Sequence, residues 1–275
     1  MKTKFVDAAK NHLIKMFPEC KFWGKFRGVD KSHILKKKQD VVKLLLDTRL
    51  RSIEECGKLF SGGVARFHQY AHHVNSSQIF CLNLFAPLLI LEDSYRALSK
   101  LLKLMGVSFT GAITEAVFEY VPRKKGDRTN FDFYVKTEFK EEAFFEIKYT
   151  EQGFGAPSNG SFKEHEIAFY KNLCNDSCYL QCFSDDIEKK FLDANFQVWR
   201  NIGHVKDSQK QYSVFIFPER NQQLMRKFPF EAVDGMKRVL VVYSEQIITL
   251  AQKAFVGDCN LLKYYKKLHD VYFNF

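Results

Sequence analysis

Residues 129–150 read TNFDFYVKTEFKEEAFFEIKYT, two apolar segments joined by a short charged turn. Apolar runs of this length, rich in aromatic and β-branched residues, predict two β-strands. Alternate side chains of a strand share one face, so Glu146 and Lys148 point the same way. If the two strands are neighbours, Asp132 lies beside Glu146 on that face. The stretch therefore predicts a hairpin that carries two carboxylates and an ammonium group side by side.

This combination of charged groups is typical of a metal-dependent phosphodiesterase. Two carboxylates, from Asp132 and Glu146, can hold a Mg²⁺ ion, which keeps several waters and binds phosphate oxygens directly. The ion polarises the phosphate and helps to generate hydroxide. A nearby ammonium, here that of Lys148, orients the nucleophile or offsets charge in the transition state. We therefore expect Mg²⁺ as the cofactor, with Mn²⁺ as a substitute.

The Glu-x-Lys pattern alone carries little information, because it occurs four times in the chain. The copies at residues 19–21, 138–140 and 188–190 lie in charged or proline-containing segments. Glu146 differs because it lies within an apolar run and follows Asp132 by one strand and a turn. The alternative interpretation is a charged edge hairpin with a cross-strand salt bridge.

The motif formed by Asp132, Glu146 and Lys148 resembles the core motif of the PD-(D/E)XK nuclease superfamily, which includes restriction endonucleases and DNA-repair nucleases. The proline that usually precedes the aspartate is replaced by Phe131, a departure that is common in the superfamily. Over roughly residues 70–250 the chain also resembles a bacterial family of restriction-endonuclease-like proteins, in the segments Ser76-Ser77-Gln78, Asn83-Leu84-Phe85, Arg128-Thr129-Asn130-Phe131-Asp132 and Gln197-Val198-Trp199-Arg200-Asn201. The resemblance implies a restriction-endonuclease-like α/β fold and a Mg²⁺-dependent endonuclease that hydrolyses DNA.

Further site residues are expected around this motif. In the superfamily a helix after the core motif often lends a Gln, Lys or Arg to the active site, which implies Gln197 and, less directly, Arg200. These two lie three apart and share a helix face, although a solvated helix face is the competing interpretation. An acid upstream of Asp132 would help to hold the metal. We choose Glu119, which lies on the predicted strand before Asp132. Glu115 is the rival and would take this place only if that segment were a helix. A solvent-facing Glu119 is the alternative. The predicted site is Asp132, Glu146, Lys148, Glu119 and Gln197, with Asp132, Glu146 and Glu119 as metal ligands.

The charge of the chain favours a polyanionic partner. The formal net charge is +10, and an excess of this kind gives a protein non-specific attraction to DNA. Double-stranded DNA is the expected partner, with phosphate contacts from Arg123, Lys124, Lys125, Arg128 and Arg200. Residues 36–38, all lysine, are a second candidate surface, and solvated charge is the alternative for each. A homodimer is a further expectation, because one such site cuts one strand.

Composition also bears on the compartment. The seven cysteines are an odd number without a paired framework, which favours a reducing compartment over a secreted disulfide protein. No apolar run is long enough to span a membrane, and residues 1–5 lack the features of a signal peptide. We expect a cytoplasmic protein that does not enter membranes.

Two parts are expected along the chain, a basic helical N-terminal segment over residues 1–65 and a nuclease-like domain over residues 66–275. Periodicity predicts the following elements: helices 66–70, 78–90 and 92–105, strands 113–121, 129–138 and 143–150, a helix 185–204, strands 212–218 and 239–243, and a helix 244–253. This order predicts an α/β sandwich with a central mixed sheet and the site on its central hairpin.

Three other patterns have competing explanations. His68 and His72 are four apart, a spacing that on a helix suits a zinc pair, but a partly buried, hydrogen-bonded structural pair fits better. Cys174, Cys178 and Cys182 would line one helix face, but their spacing matches no usual cluster motif. Residues 152–160 form a glycine-rich loop that either closes over DNA or is an ordinary connection.

Two function classes compete with the nuclease. One is a non-cleaving nucleic-acid-binding protein with the same fold, and the other is a scaffold whose Glu146 and Lys148 pair is structural. A hydrolase that acts on RNA would share the site chemistry.

Overall fold

A computed structural model describes residues 4–90, 95–122, 127, 129–155, 164–175, 177–179, 195–206 and 210–275. Its helices and strands follow in this order: α1 (Lys4–Met16), β1 (Gly24–Phe26), β2 (Val29–Lys31), α2 (Ile53–Gly57), α3 (Ser77–Ile90), α4 (Arg96–Leu104), β3 (Ile113–Tyr120), β4 (Phe131–Thr137), β5 (Glu142–Ile147), α5 (Glu164–Asn175), α6 (Phe196–Gly203), β6 (Gln211–Phe217), α7 (Gln222–Lys227), α8 (Phe230–Val233), β7 (Val239–Tyr243), α9 (Ser244–Ala254) and α10 (Cys259–Tyr272). Short 3-10 helices, Lys38–Leu44 and Thr48–Leu50, lie between β2 and α2.

The central sheet is mixed, as the sequence predicts. Its strand order is β3-β4-β5-β6-β7, with β3, β4 and β5 antiparallel and β5, β6 and β7 parallel. Parallel neighbours need a crossover connection, and helices lie in both connections here. Helices α5 and α6 lie between β5 and β6, while α7 and α8 lie between β6 and β7.

The two faces of the sheet build separate cores, because side chains alternate along each strand. On one face Phe145 and Ile147 pack into a large apolar cluster with α1, α3, α4, α9 and α10. On the other face Phe215 and Phe217 pack with residues of α5, α6, α7 and α8. Helices therefore cover both sides of a mixed sheet. This is the predicted restriction-endonuclease-like α/β sandwich.

The region before α3 departs from the predicted helix over residues 66–70. Residues 65–68 have no regular structure there. The side chain of Gln78 accepts a hydrogen bond from the His68 backbone N–H at 2.9 Å and donates to the Arg66 carbonyl at 3.0 Å. A helix over residues 66–70 needs a bond from the Tyr70 N–H to the Arg66 carbonyl, but the Tyr70 N–H donates to His68 Nδ1 at 3.3 Å while Gln78 occupies that carbonyl. The helical prediction was wrong for this reason.

The N-terminal segment is only partly helical. Residues 24–31 form the hairpin β1–β2, whose two-residue turn, Arg27-Gly28, has φ values of 50° and 80°. Positive φ at both positions is the geometry of a type I′ hairpin turn, which glycine favours. Leu13 and Phe60 belong to the same apolar cluster as the sheet residue Phe145, so this segment shares the main core. A boundary near residue 65 stays a prediction.

Among the residues that the structure describes, no helix has the length and apolar character needed to cross a membrane.

Candidate active site

The candidate site lies where β4 separates from β5. The antiparallel register of the two strands reaches Phe133 opposite Phe145, while β5 continues beside β6 as far as Ile147. At the point of separation, Asp132 Oδ2 accepts a hydrogen bond from the backbone N–H of Ile147 at 2.6 Å. A carboxylate thus bonds to a backbone group of the neighbouring strand. Asp132 is therefore fixed beside the end of β5.

Glu146 and Lys148 share a face at this end of β5, as their spacing predicts. Glu146 Oε1 and Lys148 Nζ are 2.6 Å apart, with side-chain exposures of 3% and 11%. Glu146 Oε2 accepts a second bond from Asn201 Nδ2 on α6 at 2.9 Å. The backbone N–H of Lys148 donates to the Ile216 carbonyl, which holds the residue against β6. Both charged groups are thus buried and held from two sides.

Glu119 is the third buried acid of the site. Its Oε1 accepts from Gln78 Nε2 at 2.6 Å, and its Oε2 accepts from Asn130 Nδ2. The backbone of Glu119 has φ 53°, a left-handed conformation that costs a non-glycine residue roughly 1–2 kcal/mol. Strain of this kind clusters at functional sites. The rival acid, Glu115, lies on β3 opposite Lys136 and does not line the cleft at this site.

A cleft of about 600 Å³ brings the predicted residues together. Its lining contains Asp132, Glu146, Lys148, Glu119 and Gln197, together with Arg200. Gln197 packs against Gly155, whose φ is +75° and whose position leaves only 3.1 Å between an added Cβ and Gln197 Cδ. The positive φ and the close side chain of Gln197 therefore favour glycine at this point of the loop that follows β5.

The site concentrates negative charge. Burial and the neighbouring charge of Glu146 hold the pKa of Asp132 well above its usual value. Burial raises the pKa of Glu119 by more than its hydrogen bonds from Asn130 and Gln78 lower it. Burial lowers the pKa of Lys148, but the charges of Glu146 and Asp132 outweigh this and raise it. Three carboxylates thus face one ammonium group, and the excess charge favours a further cation.

The donor set suits a hard divalent ion. In the described part of the chain, no three His, Cys, Asp or Glu side chains converge closely enough to hold a metal by themselves. Mg²⁺ does not need such a cage, because it is usually bound through one or two carboxylates and keeps several waters. An ionised carboxylate has about four lone-pair sites. Asp132, Glu146 and Glu119 therefore retain acceptor capacity beyond the hydrogen bonds described above.

Sequence reasoning missed three amide side chains that hold the acids in place. Asn201 holds Glu146, while Gln78 and Asn130 hold Glu119. A signal for Asn201 exists, since it lies four residues after Gln197 and so shares its face of the helix. The partners of Glu119 come from two separate segments, which no spacing rule connects.

Several predicted residues have other outcomes. The predicted DNA contacts Arg123, Lys124, Lys125 and Arg128 lie outside the described residues, as do residues 156–160 of the loop and residues 185–194 of the predicted helix. Lysines 36–38 are exposed, which leaves their role as a prediction.

The histidine and cysteine patterns do not lie on the predicted helices. His68 and His72 are not on a helix, and their rings contact Tyr70 and His73 respectively. Helix α5 ends at Asn175, so Cys178 lies beyond it, and Cys182 is outside the described residues. The structure therefore places neither the two histidines nor Cys174 and Cys178 together on one helix.

Comparison with known proteins gives one family. Neither the curated proteins nor the solved structures contain a match to the chain. The model of the family described as restriction endonuclease associating with ARP matches residues 9–273. Because this match covers nearly the whole chain, the protein belongs to that restriction-endonuclease-like family.

Proposed function

We propose that this protein is a Mg²⁺-dependent endonuclease of the PD-(D/E)XK type that hydrolyses DNA phosphodiester bonds. The observation that carries the proposal is the buried ion pair of Glu146 and Lys148, 2.6 Å apart, beside Asp132 in an open cleft. A buried ion pair is weak support for stability, because desolvation offsets its attraction. Perturbed acids and a lysine in one cleft are instead a reason to infer function. The family match supports the same reaction class.

Asp132 and Glu146 would hold the metal, and Glu119 would assist from β3. When bound, Mg²⁺ would act as a Lewis acid on the phosphate and would make deprotonation of a bound water easier. Mn²⁺ suits the same oxygen donors and is the expected substitute.

The protein's own groups position the other participants. Lys148 keeps its charge between two carboxylates, so its ammonium group donates hydrogen bonds to the attacking water or to a phosphate oxygen. Glu146 orients Lys148, and Asn201 fixes Glu146 in turn. Gln197 and Arg200 line the same cleft and would contact the phosphate. Preorganised donors of this kind supply most of the transition-state stabilisation in many enzymes.

DNA binding follows from charge, since the chain carries a net charge of +10. The basic segment that contains Arg123 and Arg128 is proposed as a phosphate contact, with double-stranded DNA as the partner. A homodimer and a cytoplasmic location complete the proposal. The family description also names an association with ARP, and we include that association among the proposed partners.

The test is a cleavage assay on supercoiled and linear duplex DNA with Mg²⁺, Mn²⁺ or EDTA. We expect metal-dependent nicking or cutting by the parental protein and a loss of about 100-fold or more in Lys148→Ala. The matched control is Lys21→Ala, which removes an exposed lysine from another Glu-x-Lys sequence and should cut normally. Circular dichroism checks that each variant is folded.

The outcomes separate the alternatives. Cleavage by Lys148→Ala at the parental rate would show that the site assignment is wrong. Salt-dependent DNA binding without cleavage under any metal would favour a non-cleaving binding protein, and the absence of both would favour a scaffold.

A further inference from the structure

One side of the cleft is lined by rings, which we call the aromatic wall: Phe26, His68, Tyr70 and His73. The Phe26 ring lies 5.7 Å from those of both Tyr70 and His73, measured between centroids. The rings of His68 and Tyr70 are 5.2 Å apart. Phe26 comes from β1, and the others come from the irregular segment before α3. The acids and Lys148 do not use these rings, which therefore need another explanation.

Gln78 forms hydrogen bonds both to the aromatic wall and to the buried acid Glu119. Its amide oxygen accepts from the His68 backbone N–H, and its nitrogen donates to Glu119. Burial lowers the pKa of His68, and the charge of Lys148 lowers it further, so His68 lies within electrostatic reach of the lysine. A ligand phosphate bound at the acids would thus have the aromatic wall next to it.

Two buried polar atoms of the cleft have no hydrogen-bond partner among the described residues. They are His73 Nε2 and Asn75 Oδ1. The nitrogen of the same Asn75 amide already donates to Thr150 Oγ1 at 2.5 Å. Buried polar groups in folded proteins are nearly always paired, so these two atoms mark unused hydrogen-bonding capacity in the cleft wall. A flat ring would pack on Tyr70, which is 39% exposed, and polar groups on its edge would use that capacity once the two side chains turn towards it.

Positively charged side chains lie beside the aromatic wall. The Arg27 guanidinium carbon lies 5.3 Å from the centroid of the Phe26 ring, and Lys25 and Arg27 are both exposed on the β1–β2 hairpin. Burial and the neighbouring His72 lower the pKa of His73 to about 4, so its ring is neutral near pH 7. Neutral rings beside cationic side chains are the usual surface for single nucleotides of a nucleic acid strand.

We propose that the aromatic wall holds one unstacked nucleobase next to the phosphate at the acids, so that the substrate is DNA with an unpaired nucleotide at the cleavage position. The inference rests on the proposed function for the place of that phosphate. The base would stack on Tyr70, which the Phe26 ring supports from an edge-to-face position, and its polar edge would turn towards Asn75 and His73. In a fully paired duplex this contact requires a base to be unpaired and unstacked, which costs free energy that an unpaired nucleotide does not have to supply.

The test compares binding of two duplexes, one fully paired and one with a single unpaired nucleotide, by fluorescence anisotropy in EDTA. We expect the parental protein to bind the second duplex about 10-fold more tightly. Tyr70→Ala and Phe26→Ala should each weaken binding of that duplex by about 5- to 100-fold and leave the paired duplex unchanged. Tyr70 is 39% exposed, so its truncation should not unfold the protein.

Two controls make the result specific. Tyr70→Phe keeps the ring and should keep the preference for the unpaired nucleotide. Phe139→Ala removes a ring that is 66% exposed outside the cleft and should also keep it. Equal parental affinity for both duplexes, or an unchanged preference in both alanine variants, would overturn the inference.

Cleavage of the same two duplexes with Mg²⁺ separates this inference from the proposed function. Cleavage without any preference in binding would leave the nuclease intact and remove the base site. A preference that depends on Tyr70 in a protein that never cleaves would keep the base site and remove the nuclease.

Discussion

The two ends of the β4–β5 hairpin both bury acidic side chains, but they hold them in opposite ways. At the turn end, Glu141 accepts hydrogen bonds from the backbone N–H groups of Thr110 and Gly111, both at 2.8 Å. At the open end, Asp132 accepts one backbone bond and lies next to other acids. Glu141 is thus enclosed by donors, whereas the acids of the open end repel one another.

The pKa shifts express this difference. Burial raises the pKa of Glu141, but the bonds from Gly111 and Thr110 outweigh burial, so the net shift is downward. At Asp132 the charge of Glu146 adds to burial, and the pKa is raised. An acid that serves the fold is stabilised as an anion by the protein itself. An acid kept for a ligand leaves that stabilisation incomplete.

The largest expected effect is on cleavage. Asp132→Asn should lower the initial rate of DNA cleavage by about 100- to 1000-fold, because a neutral amide cannot replace an anionic metal ligand. Glu141→Gln should keep the parental rate per folded molecule. The rates are measured at saturating Mg²⁺ and 25 °C, with folded fractions determined by circular dichroism. Equal losses in the two variants would show that the two ends do not differ in function.

The sequence predicts the open end of the β4–β5 hairpin much better than the turn end. Period-two alternation identified the strands, and the two-residue step from Glu146 to Lys148 correctly placed both on one face. The structural role of Glu141 depends on donors from Thr110 and Gly111, about thirty positions upstream. No local pattern specifies such a contact. Burial by distant segments therefore decides which acids are stabilised, and periodicity does not reveal it.

The same limit explains the region that forms the aromatic wall. The predicted helix over residues 66–70 failed because Gln78 bonds to the backbone of that segment. The β1–β2 hairpin was missed because each strand has only three residues, too few for a periodic signal. By contrast, α3 was predicted correctly, since the largely apolar segment over residues 78–90 is long enough to be unambiguous.

A second prediction concerns metal binding. Mg²⁺ at about 100 times its dissociation constant should stabilise the parental protein by about 2.7 kcal/mol, and the stabilisation should be absent in Asp132→Asn. Glu141→Gln should keep it, as should Cys178→Ala, which changes a side chain outside the cleft. The measurement is thermal unfolding with Mg²⁺ and with EDTA. If Mg²⁺ stabilised Asp132→Asn as much as the parental protein, the open end would be excluded as the metal site.

The third prediction concerns stability, for which Glu141→Gln should have a larger effect than Asp132→Asn. Without metal, Glu141→Gln should lower the free energy of unfolding by about 2 kcal/mol, because an amide cannot accept from all the donors around it. Asp132→Asn should cause no comparable loss. Its amide oxygen can still accept from the Ile147 N–H, and one of the mutually repelling charges is gone. Urea unfolding in EDTA measures both, and a larger loss in Asp132→Asn would contradict the comparison.

The smallest effect is the pH dependence of the Glu141 contribution. Because the pKa of Glu141 is lowered in the folded protein, its stabilisation is complete above the unfolded pKa and is lost as pH falls through the folded pKa. The difference in unfolding free energy between the parental protein and Glu141→Gln should therefore be largest near about pH 7. It should start to narrow below about pH 4.3, the ordinary glutamate pKa, and shrink further towards about pH 3.

The difference in unfolding free energy between the parental protein and Glu141→Gln does not contain the titration of the acids at the open end, since both proteins have these acids. Urea unfolding at several pH values provides the data. A difference that stays constant down to about pH 3 would mean that the Glu141 anion is not what its donors stabilise. The turn end would then hold its acid by packing alone, and the contrast with the open end would rest on metal binding and cleavage.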